Sequence, residues 1–318
     1  MDCPMTAKYQ PALACFSAPN QHRILQYLAH LAARQYTSLT LNAVVRALPA
    51  FRRQLPKQRQ VVLTADLTQT TAQDISAFIT AAQAAGLAPS TINTKVSLLV
   101  GFFEYLREEG QMTQQPVLRR RHRLLTPPVL PKPIPDADLA AFFQVIDSVR
   151  DRLIFLFMLR CGLRVSEVCA LAWNAIDLDA ETVRINHGKG RVDRIVYLSP
   201  DVKRALTVWR AHHRPGVYLF PSPQRRRAHL FRSMINRLMD QYLAAAGLTR
   251  HYSPHGLRHT FATHLLNAGV SLEVLKELLG HHSIAQTLRY AQLYDTTKKH
   301  QYETAMAKIA QQQAVSGR

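Results

Sequence analysis

Acidic side chains are scarce in this chain. Asp and Glu number 21 against 40 Lys and Arg, a formal charge of +19 over 318 residues. Such an excess repels itself in a compact state and is relieved by a polyanion, so nucleic acid is the first partner to consider, with an anionic membrane surface as the rival. Long apolar runs are missing as well. The most apolar stretch, Leu153 to Leu159, falls far short of the roughly 18–20 residues a membrane helix requires, so no membrane association is expected. The first residues, MDCPMTAKYQ, lack the basic region and apolar run of a secretion signal. Cysteine is sparse: Cys3, Cys15, Cys161 and Cys169 show no CxxC spacing. Reduced thiols in a cytoplasmic protein are expected. What the chain does have is 47% hydrophobic residues, enough for two domains with separate cores.

Periodicity divides the chain. Residues 1–19 hold several prolines and little pattern, and read as a flexible tail. Residues 20–112 read as a small all-helical domain: Asn20 to Arg34, Leu41 to Leu55 with Pro49 as a potential interruption, a segment opened by Thr71 and Asp74, and a long helix from Pro89 to Gly110. Residues 113–134 are rich in proline, carry Arg119, Arg120, Arg121 and Arg123, and have no period. They predict a stiff cationic linker, either a solvated tether or a strap across a phosphate backbone. Residues 135–318 return to helical spacing, opened by Pro135-Asp136 and a buried helix ending at Cys161-Gly162. Thr182 to Asn186 and Arg194 to Leu198 then alternate as strands do around Gly188-Lys189-Gly190, a hairpin with a lysine at its tip. The fold class is therefore mainly α with a small β-hairpin or sheet, in two domains.

The densest chemistry lies between Ser253 and Tyr290. Ser253-Pro254 opens a helix, with the serine as its cap, and His255 and Arg258 fall on neighbouring faces of its first turn. Ser271 caps a second helix, Gly280 stops it, His281 follows at once, and a third short helix carries Tyr290. A cationic, hydrogen-bonding pocket with a tyrosine delivered to it suits phosphoryl chemistry on a diester. Two guanidinium forks, Arg164 and Arg258, match the charge that builds on the non-bridging oxygens. His255 and His259 also stand i, i+4 as metal ligands do, but lack the glutamate between them that zinc proteases use, and no metal is expected.

Gly162-Leu163-Arg164-Val165-Ser166-Glu167, Gly188-Lys189-Gly190, His255-Gly256-Leu257-Arg258-His259 and Leu279-Gly280-His281, with Tyr290 nine residues on, resemble in order and spacing the tyrosine recombinases. The likeness is to the Xer-type and phage-integrase branch, including integrases of transposons and integrons, and covers about residues 65–295. The resemblance implies a C-shaped clamp on double-stranded DNA, built from a helical SAM-like core-binding domain and a catalytic domain. It implies site-specific recombination through a 3′-phosphotyrosyl intermediate, without ATP, metal or cofactor. Tyr290 is then the nucleophile, Arg164 and Arg258 hold the phosphate, His255 and His281 donate hydrogen bonds, and Lys189 protonates the leaving oxygen. Glu167 and His259 take supporting roles, and Arg191 joins the linker arginines in contacting DNA. Tyr294, one helical turn on, competes with Tyr290. Tyr302, Ala305, Met306 and Ile309 make a narrow apolar face on a late helix, docked on a neighbouring protomer in a homo-tetramer or folded back on its own core. Accessory proteins are compatible with this scheme. Two rivals remain: a catalytically silent DNA-binding accessory factor, and a type IB topoisomerase-like enzyme.

Overall fold

The computed structural model describes residues 4–127, 132–186, 193–212, 216–222, 229–281 and 283–291, with 302, 303, 306, 307 and 309 beyond them. The chain divides into two units, residues 1–127 and 128–318, and the division falls inside the proline-rich stretch.

In the first unit, α1 (Pro4–Leu13), α2 (Ala18–Ala33), α3 (Ser38–Arg53), α4 (Lys57–Ala65), α5 (Ala72–Ala84) and α6 (Pro89–Glu108) close around one core. The first residues are not the flexible tail expected of them. Tyr9, Leu13 and Phe16 are buried in that core, so apolar burial outweighs the weak local pattern and folds α1. α4 is likewise not foreshadowed by periodicity, since only Leu63 of its residues is buried and no stripe announces it. Pro49 does not interrupt α3, whose neighbouring Leu48 and Phe51 are fully packed. The cap on α5 forms as the spacing predicts: the Asp74 backbone N–H donates to Thr71 Oγ1, and Asp74 Oδ2 accepts from the Thr71 backbone N–H at 2.8 Å. Arg59 adds a bidentate pair to the same carboxylate, at 2.7 and 2.6 Å.

The stretch 113–134 is not structureless throughout, because α7 (Arg119–His122) forms within it. Its anchor is His122, 1% exposed. The imidazole Nδ1 accepts from the Leu118 backbone N–H at 3.0 Å, so Nε2 carries the proton and donates to Ser76 Oγ at 3.1 Å. With the histidine turned in, Arg119, Arg120, Arg121 and Arg123 all face solvent.

The second unit packs α8 (Asp136–Gln144), α9 (Val149–Arg160), α10 (Val165–Cys169), α11 (Pro200–His212), α12 (Arg232–Ala245) and α13 (Pro254–Asn267) around a larger core. α9 lies at its centre, buried at every position from Leu153 to Leu159. α14 (Leu272–Leu279) and α15 (Ile284–Ala291) form a smaller cluster with the latter half of α13. The sheet has three antiparallel strands, β1 (Ile176–Asp177), β2 (Thr182–Ile185) and β3 (Arg194–Tyr197), one more than the hairpin expected. Register pairs Ile185 with Arg194 and Val183 with Val196. That register turns Arg194 and Val196 inward while Ile195 and Tyr197 face solvent. Among the described residues, no helix is long and apolar enough to cross a membrane.

Candidate active site

Three chain breaks bring the site together. At the first, α9 ends and Gly162 turns the chain at φ +65°, where a Cβ would stand 2.4 Å from the Phe261 ring. Glycine is required by both the backbone conformation and the space. This turn delivers Arg164 to the start of α10, where Glu167 reaches back and accepts the Arg164 backbone N–H at 2.8 Å. At the second, Ser253 precedes α13 but makes no cap bond with its side chain, contrary to the expected serine cap; Pro254 alone pre-sets the first turn. At the third, Ser271 Oγ accepts from the Val274 N–H at 3.3 Å to open α14, and Gly280 closes it at φ +60°.

Arg258 is 1% exposed. Its guanidinium donates to the Gly162 carbonyl at 2.5 Å and, through Nη2, to the Leu279 carbonyl at 2.6 Å. Nη2 also lies 3.3 Å from His281 Nε2. A guanidinium only donates, so Nε2 accepts; His281 Nδ1 carries the proton and donates to Thr287 Oγ1 at 2.9 Å. Arg164 Nη1 meets Glu167 Oε1 at 2.7 Å, and its Nη2 reaches the Gly280 carbonyl at 3.0 Å. Both arginines therefore converge on the end of α14, beside His281. His255 lies at the solvent-facing rim, its ring centroid 4.3 Å from that of His259. Tyr290 is 3% exposed within the α13–α14–α15 cluster, with its hydroxyl 2.6 Å from His259 Nδ1.

Electrostatics follow from this crowding. Burial first, and then the charge of Arg164, pushes Arg258 down to about 9. Burial and the cations Arg258, Arg164 and Arg194 hold His281 down at about 3, so it is neutral. Partial burial and the charges of Arg258, Arg164 and Arg232 lower His255 as well. Burial alone would raise Glu167, but the hydrogen bonds and charge of Arg194, with the hydrogen bonds of Arg164, outweigh it and hold the carboxylate at about 2. Among the described residues, the guanidiniums of Arg164, Arg194 and Arg258 lie about the Glu167 carboxylate and leave the site short of negative charge. A phosphate has the charge and the acceptor oxygens to make up that deficit.

The structure thus brings together Arg164, Glu167, His255, Arg258, His259, His281 and Tyr290. Lys189, Arg191 and Tyr294 lie outside the described residues. Two members were not in the sequence-derived set. Arg194 is the first: its Nη2 and Nη1 grip Glu167 at 2.7 and 3.1 Å, and its Nε donates to the Leu278 carbonyl at 2.7 Å. An inward register position at the start of β3 was the available signal. Thr287 is the second, fully buried and bonded to His281, with no signal beyond its place on the Tyr290 helix. Among the described residues, no three His, Cys, Asp or Glu side chains group as a metal ion would require.

Comparison with known proteins gives the same outline. Residues 135–297 match the profile of the phage integrase family, and residues 24–110 match the phage integrase N-terminal SAM-like domain. The tyrosine recombinase XerC of Xanthomonas campestris pv. campestris (strain B100) is 30% identical over 276 residues, 84% of this chain and 83% of the relative. The tyrosine recombinase XerA of Pyrococcus furiosus is 32% identical over 236 residues, 72% of this chain and 78% of the relative. Among solved structures, a lambda integrase tetramer bound to a Holliday junction superposes with a TM-score of 0.66 at 23% identity, covering 89% of this chain and 82% of that one.

Proposed function

This chain belongs to the phage integrase family of tyrosine recombinases, and from that premise we propose that it cuts and rejoins double-stranded DNA at specific sites through a covalent bond to Tyr290. The observation that carries the assignment is the convergence of Arg164, Arg258 and His281 at the end of α14, with Tyr290 on the helix that follows.

In the cleavage step the Tyr290 oxygen attacks the scissile phosphorus and the bond to the 5′-oxygen breaks. The phenolic proton passes to a neighbouring base; His259 Nδ1, 2.6 Å from the Tyr290 hydroxyl, is within reach of it. The leaving oxygen takes a proton from Lys189, giving a 3′-phosphotyrosyl link and a free 5′-hydroxyl. Arg164 and Arg258 stabilise the added charge on the non-bridging oxygens. One such donor is worth roughly 2.7–4 kcal/mol. The attacking 5′-hydroxyl of a second site reverses the chemistry, and the retained phosphodiester energy makes ATP unnecessary. His281 and His255, neutral in the DNA-free protein, gain hydrogen-bond donor character once a phosphate offsets the guanidiniums. The partners in this reading are two duplex recombination sites and three further copies of the chain, in the cytoplasm. The exposed arginines 119, 120, 121 and 123, with Arg191, follow the phosphate backbone.

The test is covalent capture. Nicked genomic duplexes are incubated with the protein, denatured in SDS, and the DNA still attached is sequenced; a suicide duplex is then built on the site recovered. Adduct with the native chain and none with Tyr290→Phe is the expected result. Adduct that persists in Tyr290→Phe moves the nucleophile to Tyr294. No adduct with either rejects the enzyme in favour of a silent DNA-binding factor.

A further inference from the structure

We propose that Arg194 is a positioning residue for strand cleavage: it holds Glu167 so that Arg164 meets the scissile phosphate in the right place and with its charge uncancelled. The inference rests on the recombinase reading above.

Arg194 is 7% exposed, and its three guanidinium nitrogens all have assigned tasks. Nη1 and Nη2 take the two oxygens of Glu167, and Nε takes the Leu278 carbonyl. Glu167 in turn holds the Arg164 guanidinium and backbone N–H, and Arg164 Nη2 holds the Gly280 carbonyl two residues beyond Leu278. These bonds close a ring through the start of β3, the start of α10 and the end of α14. Gly280 fits this ring because a Cβ there would meet Arg194 at 3.0 Å.

Charge explains why an arginine stands here. An apolar side chain would pack at this inward strand position without desolvating an ion, and replacing buried pairs that way is often neutral or favourable for stability. Arg194 instead adds a third guanidinium to a crowded site and lowers the proton affinity of both Arg258 and His281. That cost has a return only when an anion arrives. A carboxylate paired with Arg164 alone would neutralise it and compete with the phosphate. Shared between two guanidiniums, Glu167 leaves the group with a net positive charge, and the fork keeps the carboxylate from turning toward the phosphate. Arg194 never touches the reacting atoms and acts through Glu167 on Arg164.

The test uses the full chain on the suicide duplex, with adduct formation measured in single turnover at saturating protein. Arg194→Lys keeps the charge but loses the fork. It is expected to slow adduct formation at least 30-fold, while the Kd for the duplex and the thermal midpoint of the free protein show that the variant is bound and folded. Glu167→Gln is expected to slow the step too, and the double variant to be no more than about threefold slower than the worse single. A rate for Arg194→Lys within threefold of the parent overturns the proposal. So does a loss fully accounted for by weaker binding or a smaller folded fraction, and so do single losses that multiply in the double variant. Because the parent and Tyr290→Phe are run alongside, failure of the recombinase reading is seen separately, as no parental adduct or as adduct without Tyr290.

Discussion

His281 shows how one side chain reports the state of the whole pocket. Burial, then Arg258, Arg164 and Arg194, holds it at about 3, against 6.5 for a free histidine. Between those values the unfolded chain binds a proton that the folded chain refuses. Stability is therefore greatest above about 6.5 and declines as pH falls from 6.5 toward 3. His255 is lowered for the same reasons and acts in the same direction. Glu167, held at about 2 rather than 4.5, adds a loss only at lower pH. Thermal melts are expected to show the native midpoint dropping between pH 7 and pH 5, with His281→Asn dropping less. Specific duplex should flatten the native curve, because a phosphate beside the ring favours the imidazolium. Equal slopes for the native chain and the variant would show that His281 is not the group responsible. The same crowd of cations could be anticipated from Arg164 and Arg258 in the sequence, but the neutral state of His281 could not. That state depends first on burial and on Arg258 and Arg164, to which Arg194 adds from β3, far upstream in the chain.

At the scale of elements, short motifs reach their positions through turns and through packing that is invisible locally. Gly162 and Gly280 were legible as helix stops, yet each is also filled from elsewhere, by Phe261 and by Arg194. α7 shows the reverse. Its arginines were conspicuous, while the buried His122 that orients them was not. Because these four arginines face solvent from an anchored turn, their contribution to DNA affinity should be electrostatic and independent of base sequence. Replacing Arg119, Arg120, Arg121 and Arg123 together by Gln is expected to weaken binding to specific and random duplexes alike. The slope of log K against log salt should become shallower by about 0.9 for every phosphate that is no longer neutralised. An unchanged slope would mean that the stretch is a solvated tether.

For the whole molecule, the question is whether one chain works as part of an assembly. Of the apolar face read on the late helix, Tyr302, Met306 and Ile309 are exposed, at 66%, 45% and 44%. Large apolar groups left in water at helical spacing favour a partner surface over a fold-back onto their own core. Removing residues 298–318 is expected to leave binding to a single half-site intact while weakening cooperative binding to paired sites and strand exchange. Native sedimentation of the protein–DNA complexes distinguishes these outcomes. Unchanged cooperativity and unchanged recombination would assign the face another role.

By itself, the sequence determined the helical class, the excess of positive charge and the ordered set of arginines, histidines and tyrosine, because charge, period and spacing are properties of neighbouring residues. The tertiary structure alone decided that α1 folds into the first core, that His122 turns four arginines outward, and that Arg194 and Thr287 join the site. These outcomes hang on packing between residues far apart in the chain, where burial and hydrogen bonding compete with local preference. Strand alternation can turn Arg194 inward, but the carboxylate and carbonyl it meets there come from α10 and α14, and no window of neighbouring residues contains that information.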